Sequence, residues 1–398
     1  MRALHIHNYY RYRGGEDVMF ERICGILRAK GHTVATFERK SNEISGTAAK
    51  VHAFLSSAYS QKAKAEVKAA LREHNPDVVH IHNLYPLISP SALEACVEGG
   101  FPVVMRCPNY RLECPTGVLM RNGKVCTLCS GGREYMCALT NCRGNIAESA
   151  AFAARNMLTR ARGLFHRAVD IFAPPSEFVK QRLIAAGFAA DRIAVIPNVV
   201  PLPRITADPT TGSYVALAGR FSAEKGIETL LHAAKRLPNI PVRIAGEGPQ
   251  ESILRSLAPS NVTFVGQLSR EALAAFYAGA RFCVVPSRWY EAFGLVAAEA
   301  MSFGLPVIST NMAGLAEIVD DNTTGFHFAP GDTARLAAHI DCLWNDPSLC
   351  AQMGEAGRLK VEREYSEQTY YTRLMGVYAQ ALRTSSAPAT AGDMAKIA

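Results

Sequence analysis

No apolar run in this chain of 398 residues reaches the roughly 18 residues that a bilayer-spanning helix needs. A span of that kind is excluded. The first ten residues, MRALHIHNYY, read at once as a strand, with no apolar h-region of a secretory leader before them. The expected address is therefore cytoplasmic. Low-complexity tracts and short-period repeats are missing as well, so no repeat array is read. A second C-x-x-C knuckle is absent, and so are basic clusters flanked by aromatics. A zinc-bearing nucleic-acid module would need one or the other, and no nucleic-acid partner is expected.

What is present is ample core material. The chain is 48% hydrophobic, and its length favours two domains. Charge is uneven: residues 1–200 hold 26 Lys and Arg against 16 Asp and Glu, and the remainder is slightly acidic. A basic first half suits an anionic surface or ligand. Two strand–turn–helix halves follow one another. In the first, Arg2–His7 reads as a strand and Gly14-Gly15 ends a loop before a helix from about Glu16 to Lys30. VVHIH after Asp77 and PVVMR (Pro102–Arg106) are further strands. Ile193–Ser213 carries four prolines and then polar residues, which reads as an interdomain linker.

The second half carries the chemistry. Tyr214–Arg220 (YVALAGR) reads as a buried strand, and Ile227, Leu230, Leu231 and Ala234 recur at helical spacing after it. Arg220 ends that strand, while Lys225 and Gly226 open the helix. Two cations beside a helix N-terminus suit a doubly charged phosphate group. PVRIAGEGP (Pro241–Pro249) and RFCVVPS (Arg281–Ser287) repeat the strand-then-loop pattern where open α/β sheets bind ligands. In SRWYEAFGLVAAE (Ser287–Glu299), Glu291 and Glu299 stand eight positions apart, which a helix would stretch over roughly 12 Å. Free N–H groups at a helix start meet anions, and a carboxylate accepts two hydrogen bonds from a vicinal diol. The plainer reading, a solvated cation pair and a core helix with two exposed glutamates, stays open beside it.

In order, GRFSAEKG, AGEGP, NVTFVGQLS and PSRWYEAFGLVAAEAMSFGLPVIST resemble the donor half of retaining glycosyltransferases of family 4. HIHNYYRYRGGEDVMFERICGILRAKGHTV and DVVHIHNLYPLISPSALEAC resemble the acceptor half. The resemblance runs from about Met1 to Leu382 and implies the GT-B fold, α/β with two Rossmann-like parallel-sheet domains facing a central cleft. It implies an acceptor domain over 1–196 with a Cys-rich insertion near 107–142, a linker over 197–212 and a donor domain over 213–365. A helix over 366–383 would return to the first domain, leaving a disordered tail over 384–398. The implied function is retaining transfer of a sugar from a nucleotide-diphosphate sugar to a glycan or lipid-linked acceptor, in cell-surface polysaccharide synthesis. A non-catalytic or epimerising nucleotide-sugar-binding relative is the alternative.

The resemblance also distributes roles. Arg220 and Lys225 would hold the diphosphate, with backbone N–H groups from Phe293, Gly294, Leu295 and Val296. Glu291 would fix hydroxyls of the transferred sugar, and Glu299 the ribose. Gly246, Glu247 and Gly248 would border the nucleoside pocket, and the Gly14-Gly15 loop would lie over the cleft near the phosphates. No D-x-D carboxylate pair occurs, so no catalytic metal or other cofactor is expected.

One departure stands out: Pro108 occupies the place where close relatives carry a histidine that contacts the donor sugar. Proline cannot supply that hydrogen bond. This points to a donor without a hydroxyl on its distal carbon, or to a pocket reshaped around Asn109 or Arg111. His5, His7, His80 and His82 alternate on two strands, so one of each pair should face covering helices, while His82 and Asn83 end their strand as candidates for acceptor contact. Cys107, Cys114, Cys126, Cys129, Cys137 and Cys142 crowd one stretch. Of these, Cys114, Cys126, Cys129 and Cys142 would form a tetrahedral thiolate site suited to structural zinc, and reduced buried or surface thiols are the alternative. Finally, Ala151–Val169 interleaves Arg155, Arg160, Arg162 and Arg167 with Phe152, Met157, Leu158 and Phe165. It reads as an interfacial helix or as a domain helix with a basic face. The first would place the protein peripherally on the inner face of the cytoplasmic membrane, against anionic lipid.

Overall fold

The computed structural model describes residues 1–11, 14–41 and 57–386. Strands β1 (Arg2–Tyr9), β2 (Thr33–Lys40), β3 (Val78–Asn83) and β4 (Val103–Arg106) belong to a first parallel sheet. A short antiparallel hairpin, β5 (Met120–Arg121) and β6 (Lys124–Val125), interrupts it before β7 (Ile171–Ala173) completes the order β2-β1-β3-β4-β7. The second sheet holds β8 (Val215–Ala218), β9 (Val242–Ala245), β10 (Val262–Gly266), β11 (Phe282–Val285), β12 (Val307–Thr310) and β13 (Gly325–Phe328). Its order is β10-β9-β8-β11-β12-β13, again parallel.

Continuous burial along β3, β4, β11 and β12 follows from helices on both faces, the arrangement that parallel sheets require. On one side of the first sheet, Leu4, Ile6, Val79 and Ile81 pack with Val67, Leu71, Ala92 and Leu93 of helices Gln61–His74 and Ser91–Gly99. On the other side lies helix Gly15–Ala29, whose Met19, Ile23, Ile26 and Leu27 recur every three or four residues. Its start is fixed by Asp17, whose carboxylate accepts the Gly14 N–H at 3.0 Å. That face is completed from the far end of the chain. Helix Glu367–Ser386 lays Tyr370, Leu374, Val377, Tyr378 and Ala381 against Ala3, Val78 and Val104. The expected tail is shortened accordingly: 384–386 continue this helix, and 387–398 lie outside the described residues.

Strand order reverses between β1 and β3 in the first sheet and between β8 and β11 in the second. Loops leaving such neighbours diverge to opposite faces and open a crevice at the strands' carboxyl ends.

The basic stretch Ala151–Val169 is not one helix. Ile146–Ala161 ends, Gly163 turns through a left-handed φ of 57°, and Leu164–Ala168 follows. Arg155 is buried, donates to the Pro115 carbonyl at 3.0 Å and stacks over Tyr85 at 4.2 Å. Arg160 pairs with Glu134 at 2.8 Å, and Arg167 donates to the Arg162 carbonyl. The single helix expected here is corrected to two: Arg155 is buried, while Arg160, Arg162 and Arg167 stay exposed and leave a basic face. No helix of the described residues is long and apolar enough to cross a membrane.

The four strand histidines also require a correction. Residues two apart on a strand share a face, and all four rings lie on the side covered by Gly15–Ala29 and the last helix. His5 Nδ1 meets His82 Nε2 at 2.9 Å, His80 Nδ1 meets the Tyr378 hydroxyl at 2.7 Å, and His7 Nε2 meets Asp17 at 2.8 Å. Burial lowers His5 from its ordinary value to about 3, with a smaller push from Arg28, and also holds His80 and His82 well below 6.5. The unfolded chain therefore binds these protons first as pH falls through 6.5. Stability present above that pH should decline by about 1.4 kcal/mol per pH unit for each ring. Urea midpoints measured from pH 7 down to pH 4.5 should fall steeply; a flat profile would mean that the rings are solvated or charged in the folded chain.

Candidate active site

After β8 the chain runs through Gly219–Ser222 into a single 3-10 turn, Ala223–Lys225, and then helix Ile227–Lys235. Gly226 joins the two at φ 64°, where a Cβ would lie 2.1 Å from the Pro286 carbonyl oxygen. Only glycine lets the Lys225 turn lie against the loop that leaves β11. That loop carries Glu291. Lys225 Nζ lies 2.6 Å from Glu291 Oε1, and the Ser287 hydroxyl donates to the same oxygen at 2.8 Å. Burial alone would raise the Glu291 carboxyl, but the Lys225 charge, with Trp289 and Ser287, outweighs it and holds the group below its ordinary range. The side chain is thus an anion at neutral pH, gripped by a cation.

Beyond Glu291, Gly294 starts helix Leu295–Ser302 at φ 95°, and a Cβ there would meet Leu315 Cδ2 at 2.6 Å. The N–H groups of Leu295 and Val296 have no acceptor among the described residues. Lys225, Ser287, Glu291, Gly294, Leu295 and Val296 line one cleft of about 490 Å³ with the ends of β8 and β11. A cation, a hydrogen-bonded carboxylate and a helix start thus face one space, which suits a phosphate group next to a polyhydroxylated one.

Other expected residues stand elsewhere. Arg220 is exposed, without a side-chain partner among the described residues, and does not line this cleft. Phe293 is buried in the core edge-on to Tyr365, with its backbone against Gly314. Gly246 and Gly248 brace the loop after β8: a Cβ on Gly246 would lie 1.9 Å from the Gly219 oxygen, and one on Gly248 2.5 Å from that of Phe221. Between them the Glu247 carbonyl accepts the Phe221 N–H. Glu299 sits inside its helix, and burial raises its carboxyl against the pull of Arg22, a residue of the first domain. Gly15 brings the first domain to the helix start, since a Cβ there would be 3.9 Å from Leu295.

His82, Asn83, Asn109 and Arg111 line a second cavity of about 340 Å³, with Pro108, at the ends of β3 and β4. Their polar groups are mostly engaged. Asn83 Oδ1 accepts from Arg111 at 2.8 Å, its amide donates to the Asn8 carbonyl, and Asn109 donates to Glu16 at 2.8 Å. Glu16, which also accepts from the Tyr10 hydroxyl at 2.7 Å, was not singled out in the sequence. Neither was the clamp between domains: the Tyr110 hydroxyl donates to the Tyr290 carbonyl at 3.0 Å and Ser176 to that of Ala292 at 2.6 Å. No short-range pattern announces such contacts, because their partners are 180 and 116 residues apart.

In the insertion, Cys114, Cys126, Cys137 and Cys142 surround Cys129, whose thiol is pushed up to about 12 by burial and by these neighbours. Cys137, omitted from the expected set, is buried and carries the same displacement. Among the described residues, no three of these sulfurs converge within 4.8 Å of one another.

Residues 14–199 match the glycosyl transferase 4-like domain, and residues 202–360 match the glycosyl transferases group 1 family. The chain belongs to the group 1 glycosyltransferases. It is 36% identical over 209 residues to a glycogen synthase from Mycobacterium tuberculosis, covering 49% of this chain and 50% of that one. It is 30% identical over 216 residues to a sulfoquinovosyl transferase from Arabidopsis thaliana, covering 50% and 42%. The chain thus spans about half the length of the curated relatives it matches. The structure of a sucrose-phosphate synthase from Thermosynechococcus elongatus superposes with a TM-score of 0.71 at 22% identity, over 96% of this chain and 99% of the other. The Anabaena protein HepE in complex with UDP-glucose gives 0.66 at 17%, over 95% and 99%. These likenesses place this glycosyltransferase in the GT-B fold.

The pairing can be tested by stability. Lys225→Met strands the Glu291 carboxylate in a largely enclosed site and should cost about 1–3 kcal/mol at pH 7. Adding Glu291→Gln should recover most of that loss. A single variant as stable as the parent in thermal unfolding would mean that the pair contributes nothing to the fold.

Proposed function

We propose that this glycosyltransferase is a retaining enzyme that moves a sugar from a nucleotide-diphosphate sugar to a glycan or lipid-linked acceptor, in cell-surface polysaccharide synthesis. The observation that supports the reading most directly is the single cleft holding Lys225, Glu291 and the open helix start at Leu295. Lys225 and the N–H groups of Leu295 and Val296 take the diphosphate and stabilise the charge that builds as the glycosidic C–O bond breaks. Glu291, released by Lys225 as it turns to the phosphates, accepts hydrogen bonds from the hydroxyls of the transferred sugar. The departing phosphate itself takes the acceptor's proton, so no enzymic base is needed on that face. Arg220, exposed just after β8, would have to swing toward the cleft to join Lys225 on the diphosphate. That a similar fold binds UDP-glucose in HepE is consistent with this donor class.

Pro108 favours a second reading, a nucleotide-sugar-binding relative that has lost turnover; the resemblance also admits one that epimerises instead. Calorimetry with UDP, GDP and ADP, followed by donor consumption on a panel of nucleotide sugars, separates the two. At least one nucleotide diphosphate should bind, and its sugar conjugate should be consumed with anomeric configuration kept. Lys225→Ala should lower turnover by about a hundredfold. Nucleotide binding with no donor consumed supports the second reading, and no nucleotide binding at all ends both.

We also propose that the thiol cluster holds structural zinc, with Cys137 as an additional candidate ligand beside Cys114, Cys126, Cys129 and Cys142. Thiolates suit the ion, which would have to draw together sulfurs of which no three lie within 4.8 Å of one another among the described residues, and it would deprotonate thiols that burial otherwise keeps neutral. Elemental analysis of protein purified in reducing buffer should find close to one zinc per chain; below about 0.2 the proposal fails.

A further inference from the structure

A cavity of about 810 Å³ lies between the Cys-rich insertion and the donor domain, outside the cleft described above. Its insertion wall is Met120, Arg121 and Asn122 of the β5–β6 hairpin with Asn141 and Gly144 from the loop beyond; its donor-domain wall is Glu224 and Trp289. The two spaces share a partition. Glu224 faces this cavity and Lys225, the next residue, faces the donor cleft; Trp289 faces this cavity and Glu291 the cleft. The Lys225 ammonium sits 5.7 Å from the centre of the Trp289 ring. The buried indole N–H has no hydrogen-bond partner among the described residues, yet lies close enough to Glu291 to help keep that carboxylate charged.

The chemistry of the lining selects a ligand class. Arg121 has no side-chain partner among the described residues and lines the cavity with Asn122, Asn141, Glu224 and Trp289; Asn141 Oδ1 also accepts from Ser149 at 3.2 Å and Glu224 from Ser222 at 2.5 Å. One cation opposite one anion is a poor site for a phosphate. Donors and acceptors of both kinds set around an indole face suit a neutral ring that carries hydroxyl groups on its edge and C–H groups on its face. The hairpin that presents Arg121 turns at Asn122 and Gly123 with φ of 50° and 73°, a two-residue turn that fixes the strand ends rigidly.

We propose that this cavity is the acceptor subsite and binds a pyranose residue of the acceptor, stacked on Trp289 and hydrogen-bonded by Arg121, Asn122, Asn141 and Glu224. The inference rests on the transferase reading above and names where its second substrate sits. Because Trp289 stands between this cavity and the Lys225–Glu291 cleft, the sugar held there is not the one whose hydroxyl reacts but a further residue of the acceptor.

Saturation-transfer-difference NMR tests it with methyl α- and β-glucosides, galactosides and mannosides on the full chain, with and without saturating UDP. At least one hexoside should show ring-proton transfer, reduced tenfold or more in Trp289→Ala. The same loss should appear in Arg121→Ala/Asn122→Gly, a pair on an exposed turn where glycine accepts the left-handed φ. That pair should leave UDP affinity, read by calorimetry, unchanged within about threefold. Transfer to no hexoside, or transfer that survives both variants, overturns the subsite. Failure of the parent chain to bind any of UDP, GDP and ADP would instead sink the transferase reading, whatever the hexosides do.

Discussion

The contact between Lys225 and Glu291 depends on two loops 66 residues apart in sequence arriving at one point. They do so because β8 and β11 are neighbours where strand order reverses, so the segments leaving them bound one crevice. The lysine is 27% exposed and the glutamate 12%. At an effective dielectric near 20 a pair of unit charges about 4 Å apart gains roughly 4 kcal/mol, most of which desolvation offsets. The net contribution is therefore modest, and an incoming dianion can compete for the lysine without unfolding anything. What the pair secures is charge state: Glu291 stays ionised in a site that would otherwise neutralise it. An ionised carboxylate is the form that accepts from hydroxyl groups.

Around this contact the two domains hold one another's active loops. Tyr110 and Ser176 of the first domain donate to carbonyls at Tyr290 and Ala292, on either side of Glu291. In the opposite direction, Glu317 of the second domain accepts the N–H groups of Glu177 and Phe178 at 2.9 and 2.7 Å, capping helix Glu177–Ala185. The last helix carries Tyr378 back to the histidine cluster beneath β1 and β3. Each tie is a few hydrogen bonds or one helix face. Opening the cleft therefore exchanges a small number of polar contacts with water, while each core stays whole.

Much of this was readable in the sequence. Strand and helix alternation, the glycine at position 226, and Lys225 and Glu291 were legible because the signals are local: a short apolar run, a turn residue, a charge beside it. The reading faltered where meaning is set by a distant partner. Gly246 and Gly248 read as a ligand border, and no local pattern shows that their missing side chains also admit Gly219 and Phe221. The histidines were assigned to opposite faces, although the period of a strand puts residues two apart together. Arg155 looked like a surface cation because no sequence pattern shows that Tyr85, 70 positions earlier, offers it a ring.

The same limit explains why Trp289 escaped notice while its neighbour did not. Glu291 carries its chemistry in its own side chain, so residue type and spacing suffice to find it. An indole acquires a role only from what faces it, and here that is a hairpin more than 160 residues upstream. The insertion is tied down by its own contacts, with Glu113 accepting from both Ser130 and Arg182. Cys129 and Cys137 form a small core with Ala153 of the neighbouring helix, while Cys107, Tyr110, Cys114 and Leu119 join the core of the first domain. A wall anchored in the first domain can change its lining without disturbing the crevice between β8 and β11. In a protein arranged this way, the lining beside the insertion and the lining of the crevice between β8 and β11 can vary separately, with one aromatic ring between them.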